Sequence, residues 1–150
     1  MLFHKLFSTG LGIGYIGKGS GTYASIACCI VWYLLLVNGY PGLPVLALTL
    51  AITVIGIWSS TVVENIWGQD PQRVVIDEMA GMCVSLLFLP VNVKYLIAGL
   101  VLFRFFDIVK PLGIRKMENL KGGWGIMFDD VLAGIYANLI LQAVLLFKLM

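Results

Sequence analysis

The chain has 150 residues, 60% of them hydrophobic and 12% charged, with a net charge of +2 and a mean hydropathy of +0.96. Soluble globular domains carry about 25% charged residues, so this composition excludes an ordinary soluble enzyme and predicts a single compact membrane domain over residues 1–150. Cys28, Cys29 and Cys83 all lie in apolar runs and read as buried small residues, which supports neither a disulfide framework nor a cysteine-based zinc site.

The first ten residues (MLFHKLFSTG) lack the continuous apolar core and small-residue cleavage site of a secretory signal, so the hydrophobic segments are expected to be retained. Residues 9–25 then hold Gly10, Gly12, Gly14, Gly17, Gly19 and Gly21, followed by Thr22 and Ser25. Glycine at this density opposes a stable helix and suits a loop whose backbone N–H groups approach an anion. Lys18 and a helix N-terminus near Thr22 add to that preference for negative charge. Gly12, Gly14 and Gly17 satisfy G-x-G-x-x-G, but no βαβ pattern surrounds them and no acid follows about 20 residues later. The P-loop spacing also fails, because Gly19 stands where Ser or Thr would meet magnesium.

Apolar runs follow at residues 23–37, 43–63, about 74–89, about 94–109 and 131–147. A helix crosses the hydrocarbon in about 20 residues, and Pro90, Asn92 and Lys94 divide the long third stretch in two. None alternates as a membrane barrel strand would. The expectation is therefore all-α, with about five apolar helices. With a cytoplasmic N-terminus, Lys5, Lys18, Arg73, Arg104, Lys110, Arg115, Lys116 and Lys121 fall on or near the inside, and only Lys94 and Lys148 fall outside. That bias predicts a multi-pass protein whose polar loops share the cytoplasmic face.

All eight acids lie in or beside three polar breaks: Glu64, Asp70, Asp77, Glu78, Asp107, Glu118, Asp129 and Asp130. Asp77 and Glu78 enter an apolar helix directly, where an ionised carboxylate costs several kcal/mol unless paired or coordinated. Neighbours on a helix point about 100° apart, so one could bind a metal while the other pairs with a base. Arg104, Asp107 and Lys110 recur every three residues, which puts the acid between two bases on one helix face. Asp129 and Asp130 stand at the start of the last apolar helix, where one could serve as a cap. Glu64, Asp70 and Glu118 lie in looser sequence and read as solvated charges. Carboxylates select a hard cation such as magnesium, Arg and Lys select phosphate oxygens, and the lone His4 tells against zinc chemistry and a histidine base. The residues thus describe a magnesium-dependent enzyme acting on a phosphate at the cytoplasmic membrane surface.

Four ordered blocks make the sequence resemble the phosphatidylglycerophosphatase A family of bacterial membrane lipid phosphatases. They are the glycine loop ending at Gly21-Thr22 and Ser25; Asp77-Glu78 with Gly81-Met82; Phe103-Arg104, Asp107, Lys110-Pro111 and Ile114-Arg115; and Gly122-Gly123, Gly125-Ile126-Met127, Asp129-Asp130 and Ala133-Gly134. Gly17, Ser20 and Gly113 stand where the family usually has proline, departures that loosen loops without removing a charge and so bear on substrate fit more than on reaction class. The resemblance implies hydrolysis of phosphatidylglycerophosphate to phosphatidylglycerol and inorganic phosphate, with magnesium, at the cytoplasmic face of the bacterial inner membrane. Chemistry and likeness together assign magnesium to Asp77, Glu78, Asp107, Asp129 and Asp130. Asp77, Asp129 and Asp130 are the expected catalytic residues, which orient or deprotonate water or supply a nucleophile. Lys18, Thr22, Ser25, Arg104, Lys110 and Arg115 are the expected phosphate ligands. The expected partners are the lipid substrate and the membrane, with no nucleic acid. A phosphatidyltransferase would show a spaced DG-AR-G-D-D run, which is missing, and a channel or carrier would spread acids through the membrane depth.

Overall fold

Backbone polar groups without water must bond to one another, and apolar sequence does so most simply as helix. The computed structural model describes residues 1–39, 42–69 and 71–150, and among these it contains helices and no strand. The α-helices are α1 (Leu2–Ser8), α2 (Ser20–Leu36), α3 (Leu43–Trp67), α4 (Ile76–Leu86), α5 (Val93–Val109), α6 (Ile114–Met117) and α7 (Gly123–Leu146). A single 3-10 turn, Ile13–Ile16, interrupts the glycine loop.

Each of the five expected apolar segments is a helix, but only α3 (25 residues) and α7 (24 residues) are long and apolar enough to cross a membrane. The expectation of five spanning helices is corrected accordingly. At 1.5 Å per residue, α2 and α5, with 17 residues each, reach about 26 Å. The 11-residue α4 reaches about 16 Å, roughly half the hydrocarbon thickness. Its C-terminal carbonyls are satisfied from α7. Asn138 Nδ2 donates to the carbonyl oxygens of Ser85 (3.1 Å) and Leu87 (2.8 Å), and Gln142 Nε2 donates to that of Leu87 (3.1 Å).

The helices α2, α3, α4, α5 and α7 alternate in direction, so the starts of α2, α4 and α7 meet the ends of α3 and α5 at one end of the bundle. Small residues let them approach. A Cβ on Gly134 of α7 would overlap the Gly81 carbonyl of α4, and one on Gly123 would overlap the Ile57 carbonyl of α3. Around these crossings Met82, Phe103, Met127 and Ala133 are fully buried. Cys28, Cys29 and Cys83 are buried as expected, with the Cys28 and Cys83 sulfurs 3.4 Å apart. The outward surface is apolar as well, with Leu34, Val54, Val101 and Leu139 more than half exposed.

Candidate active site

The polar end of the bundle collects the acids. Asp77 and Glu78 occupy the first turn of α4, Asp107 the last turn of α5, and Asp129 and Asp130 the second turn of α7. Because α7 starts at Gly123 rather than near Val131, Asp129 and Asp130 lie beyond its first turn, and the capping reading for either one falls. Asp77, Asp107, Asp129 and Asp130 are all buried, with Asp130 only 2% exposed.

Carboxylate atoms of Asp77, Asp129 and Asp130 lie within 4.8 Å of one another, and so do those of Glu78, Asp107 and Asp130. The 100° offset between Asp77 and Glu78 thus sends the two neighbours into different groups that share Asp130. Two cations are threaded through the acids. Arg104 pairs with Asp107, and Lys110 Nζ lies 2.6 Å from Asp129, 3.6 Å from Asp107 and 3.3 Å from Glu118. Glu118, read from sequence as a solvated loop charge, is therefore an outer partner of Lys110. Asp70 lies outside the described residues.

Lys110 caps α5 in the left-handed region (φ 53, ψ 54), a conformation that costs a residue with a Cβ about 1–3 kcal/mol. Burial alone would lower its pKa. The hydrogen bond and charge of Asp129, with Asp130 and Asp107 behind it, outweigh burial and hold the ammonium above the ordinary lysine value.

Beside the acids opens a cleft of about 340 Å³, lined by Lys18, Ser20, Gly21, Asp77, Glu78 and Arg104 among others. Gly19 caps α2 at φ 81; the Ser20 N–H donates to the Gly17 carbonyl (3.1 Å), and the N–H groups that follow it in the first turn point out of the helix end, as an anion would require. A Cβ on Gly21 would collide with Glu78 Oε1 and sit 3.2 Å from Arg104 Nη1, so glycine is what lets both side chains reach the mouth of α2. The cleft also takes in Pro71 and Gln72, whose backbone carbonyl accepts from Ser20 Oγ (3.3 Å). Sequence reading missed Ser20 and Gln72, which lie in loop sequence without a charge to mark them.

Other expected phosphate ligands sit elsewhere. The Ser25 hydroxyl is buried and donates to the Gly21 carbonyl (2.9 Å). Thr22 is half-buried and Arg115 is exposed on α6, and neither lines the cleft. His4 Nδ1 is 3.1 Å from Ser59 Oγ, with its ring against Trp58.

The acids suit a hard divalent cation. Asp77 Oδ1, Glu78 Oε2 and Asp130 Oδ2 are buried with no hydrogen-bond partner among the described residues. Five carboxylates against Arg104 and Lys110 leave three negative charges in formal count (five minus two). Left alone, such a cluster is costly to bury and repels a phosphate. An all-oxygen donor set is what magnesium prefers.

Over residues 6–145 the chain matches the family described as Phosphatidylglycerophosphatase A. It belongs to this family. A Phosphatidylglycerophosphatase A of Haemophilus influenzae is 34% identical over 143 residues, covering 93% of this chain and 86% of that one. The Phosphatidylglycerophosphatase A of Escherichia coli is 34% identical over 132 residues, 87% of this chain and 76% of that one. A Bacteroides thetaiotaomicron protein, named provisionally as a phosphatidylinositol-3-phosphatase, is 46% identical over 142 residues, 91% of this chain and 89% of its own. No solved structure matches. As a phosphatidylglycerophosphatase A family member the chain is a lipid phosphatase, and its acid cluster is the candidate active site.

Proposed function

We propose that this phosphatase hydrolyses the terminal phosphomonoester of phosphatidylglycerophosphate, releasing phosphatidylglycerol and inorganic phosphate for phospholipid synthesis, with magnesium, at the cytoplasmic face of a bacterial inner membrane. The observation that carries the reading is the juxtaposition of unpartnered, buried carboxylate oxygens with the helix-mouth cleft of α2, in a chain of this family.

Asp77, Glu78, Asp107, Asp129 and Asp130 would hold the magnesium. When bound, it would offset charge on the phosphate oxygens and make a coordinated water more acidic. Lys18 and the first-turn N–H groups of α2 receive the phosphate, and Arg104, at the rim of the same cleft, meets its outer oxygens while holding Asp107. Lys110 stays charged and fixes Asp129. Asp77 Oδ1 and Asp130 Oδ2 have no donor among the described residues, which suits carboxylates that would hold the metal and orient a water beside it. His4 is engaged with Ser59 and is not needed as a base. As the water oxygen bonds to phosphorus and its proton passes to a carboxylate, the bond to the lipid oxygen breaks and that oxygen takes up a proton to leave as the alcohol. Thr22, Ser25 and Arg115 remain proposed phosphate ligands that would need to turn toward the cleft.

The membrane setting rests on α3 and α7, on the apolar exterior and on the charge asymmetry of the loops. Carboxylates gathered at one end of the bundle suit surface chemistry rather than a transport path. The 46% relative supports a second reading of the substrate, the phosphomonoester of phosphatidylinositol-3-phosphate. A panel of both lipids and phosphatidate, assayed on detergent-purified protein, separates these readings. Phosphatidylglycerophosphate should give the highest kcat/KM, and Asp77→Asn and Asp129→Asn should each abolish turnover without loss of expression. A clear preference for the inositol lipid would transfer the assignment to it, and full activity in both variants would remove these residues from the site.

A further inference from the structure

We infer that the site holds two divalent cations rather than one, in two adjoining carboxylate groups bridged by Asp130. The inference rests on the reading that a divalent cation binds here at all, and adds how many bind and which residues divide them.

Two sets of three carboxylates each bring a ligand atom from every member within 4.8 Å, and Asp130 is the member common to both. Among the described residues each set has its own unpartnered oxygen: Asp77 Oδ1 in one and Glu78 Oε2 in the other. Asp130 contributes a third, Oδ2, and with Asp77 it is more than nine-tenths buried. One cation shared by all five acids would leave the sequence pair Asp77-Glu78 without a reason to diverge. Their 100° separation on α4 instead delivers one acid to each set.

The shortest ion pairs follow the same division. Lys110 lies 2.6 Å from Asp129 in the first set, with Asp107 of the second farther off at 3.6 Å, while Arg104 holds Asp107 in the second. Each set therefore has one carboxylate oriented by a base and one with a free oxygen, the arrangement in which outer partners fix metal ligands. Charge points to the same number. With all five acids deprotonated, as cation ligands must be, they carry three negative charges in formal count once Arg104 and Lys110 are subtracted. One divalent cation would leave a net charge of −1, still repelling a phosphomonoester that carries about −1.5 to −2 near neutral pH. A second gives +1 and turns the floor of the cleft attractive. Paired cations about 4 Å apart are a recurrent means of holding both the attacking and the leaving oxygen in phosphoryl chemistry.

Manganese, a hard oxygen-seeking ion visible by electron paramagnetic resonance, probes the count independently of turnover. Detergent-purified protein titrated with Mn²⁺ should remove two equivalents per chain from solution and show the spin-coupled spectrum of a close pair. Glu78→Gln should retain one equivalent and lose the coupling, as should Asp77→Asn, while Glu64→Gln should behave as the unaltered protein. One equivalent in the unaltered protein, or two without coupling, would overturn the bridged pair and leave the metal reading standing. No binding at millimolar Mn²⁺ would overturn both. Retention of two coupled ions in Glu78→Gln would overturn the division of ligands.

Discussion

Gly21 shows how much of the site depends on what one residue lacks. Its missing Cβ leaves room for the Glu78 carboxylate and Arg104 at the mouth of α2. Gly21→Ala should lower kcat/KM at least tenfold and shift Tm little, because the obstructed atom is the mobile end of Glu78. A wild-type kcat/KM would show that Glu78 need not touch α2. Lys110 gives a pH signature. Its folded-state pKa is raised, so its contribution to stability is complete below the ordinary lysine value of 10.5 and is lost as pH rises through the higher folded-state value. The stability difference between the unaltered protein and Lys110→Met, measured by denaturation in detergent, should be constant from pH 7 to 10 and shrink only above pH 10.5. A difference that vanished near pH 8 would contradict this ion-pair network. The acids themselves were legible in the sequence because carboxylates are rare in so apolar a chain. Their partners were not, since whether Lys110 meets Asp129 or Glu118 depends on how α5, α6 and α7 dock.

At the scale of elements, run length and Pro90 were enough to locate five helices, of which α3 and α7 are long and apolar enough to cross a membrane, but the ends moved. α7 starts eight residues earlier than its apolar run because Gly123 and Gly125 enter the helix at points of close packing, with Gly122 capping it at φ 65. Gly123 lies against the Ile57 carbonyl and Gly125 against that of Leu120. α1 went unseen, being a seven-residue helix whose Phe3, His4 and Phe7 pack against one another, with Phe3 and His4 reaching Trp58 of α3. The crossing of α4 and α7 matters most for function, because it brings Asp77 and Glu78 to Asp129 and Asp130. Gly134→Ala should destabilise the protein by about 1–3 kcal/mol through overlap with the Gly81 carbonyl. Thermal unfolding in detergent reads this as a lower Tm, with activity falling alongside; an unchanged Tm would mean that the helices do not touch there.

For the whole molecule, the alternation of five helices places the glycine loop, the acids and most basic residues at one end and Lys94 at the other. Composition forecast that asymmetry through the distribution of lysine and arginine. It could not forecast that α4 would stop after 11 residues, because that stop relies on Asn138 and Gln142 donating to α4 carbonyls 51 to 55 residues away in sequence. In sealed cells, a membrane-impermeant thiol reagent applied outside should modify Lys94→Cys and spare Lys121→Cys, with the opposite result in inverted vesicles. Labelling of both from one side would break the proposed topology. The central claim is that the five carboxylates work with a divalent cation on a lipid phosphomonoester. Its most direct test is phosphate release from phosphatidylglycerophosphate by the purified protein, before chelation, after it, and after magnesium is restored. The account predicts activity that disappears with the chelator and returns with magnesium; release that continues at full rate in the chelator would contradict it.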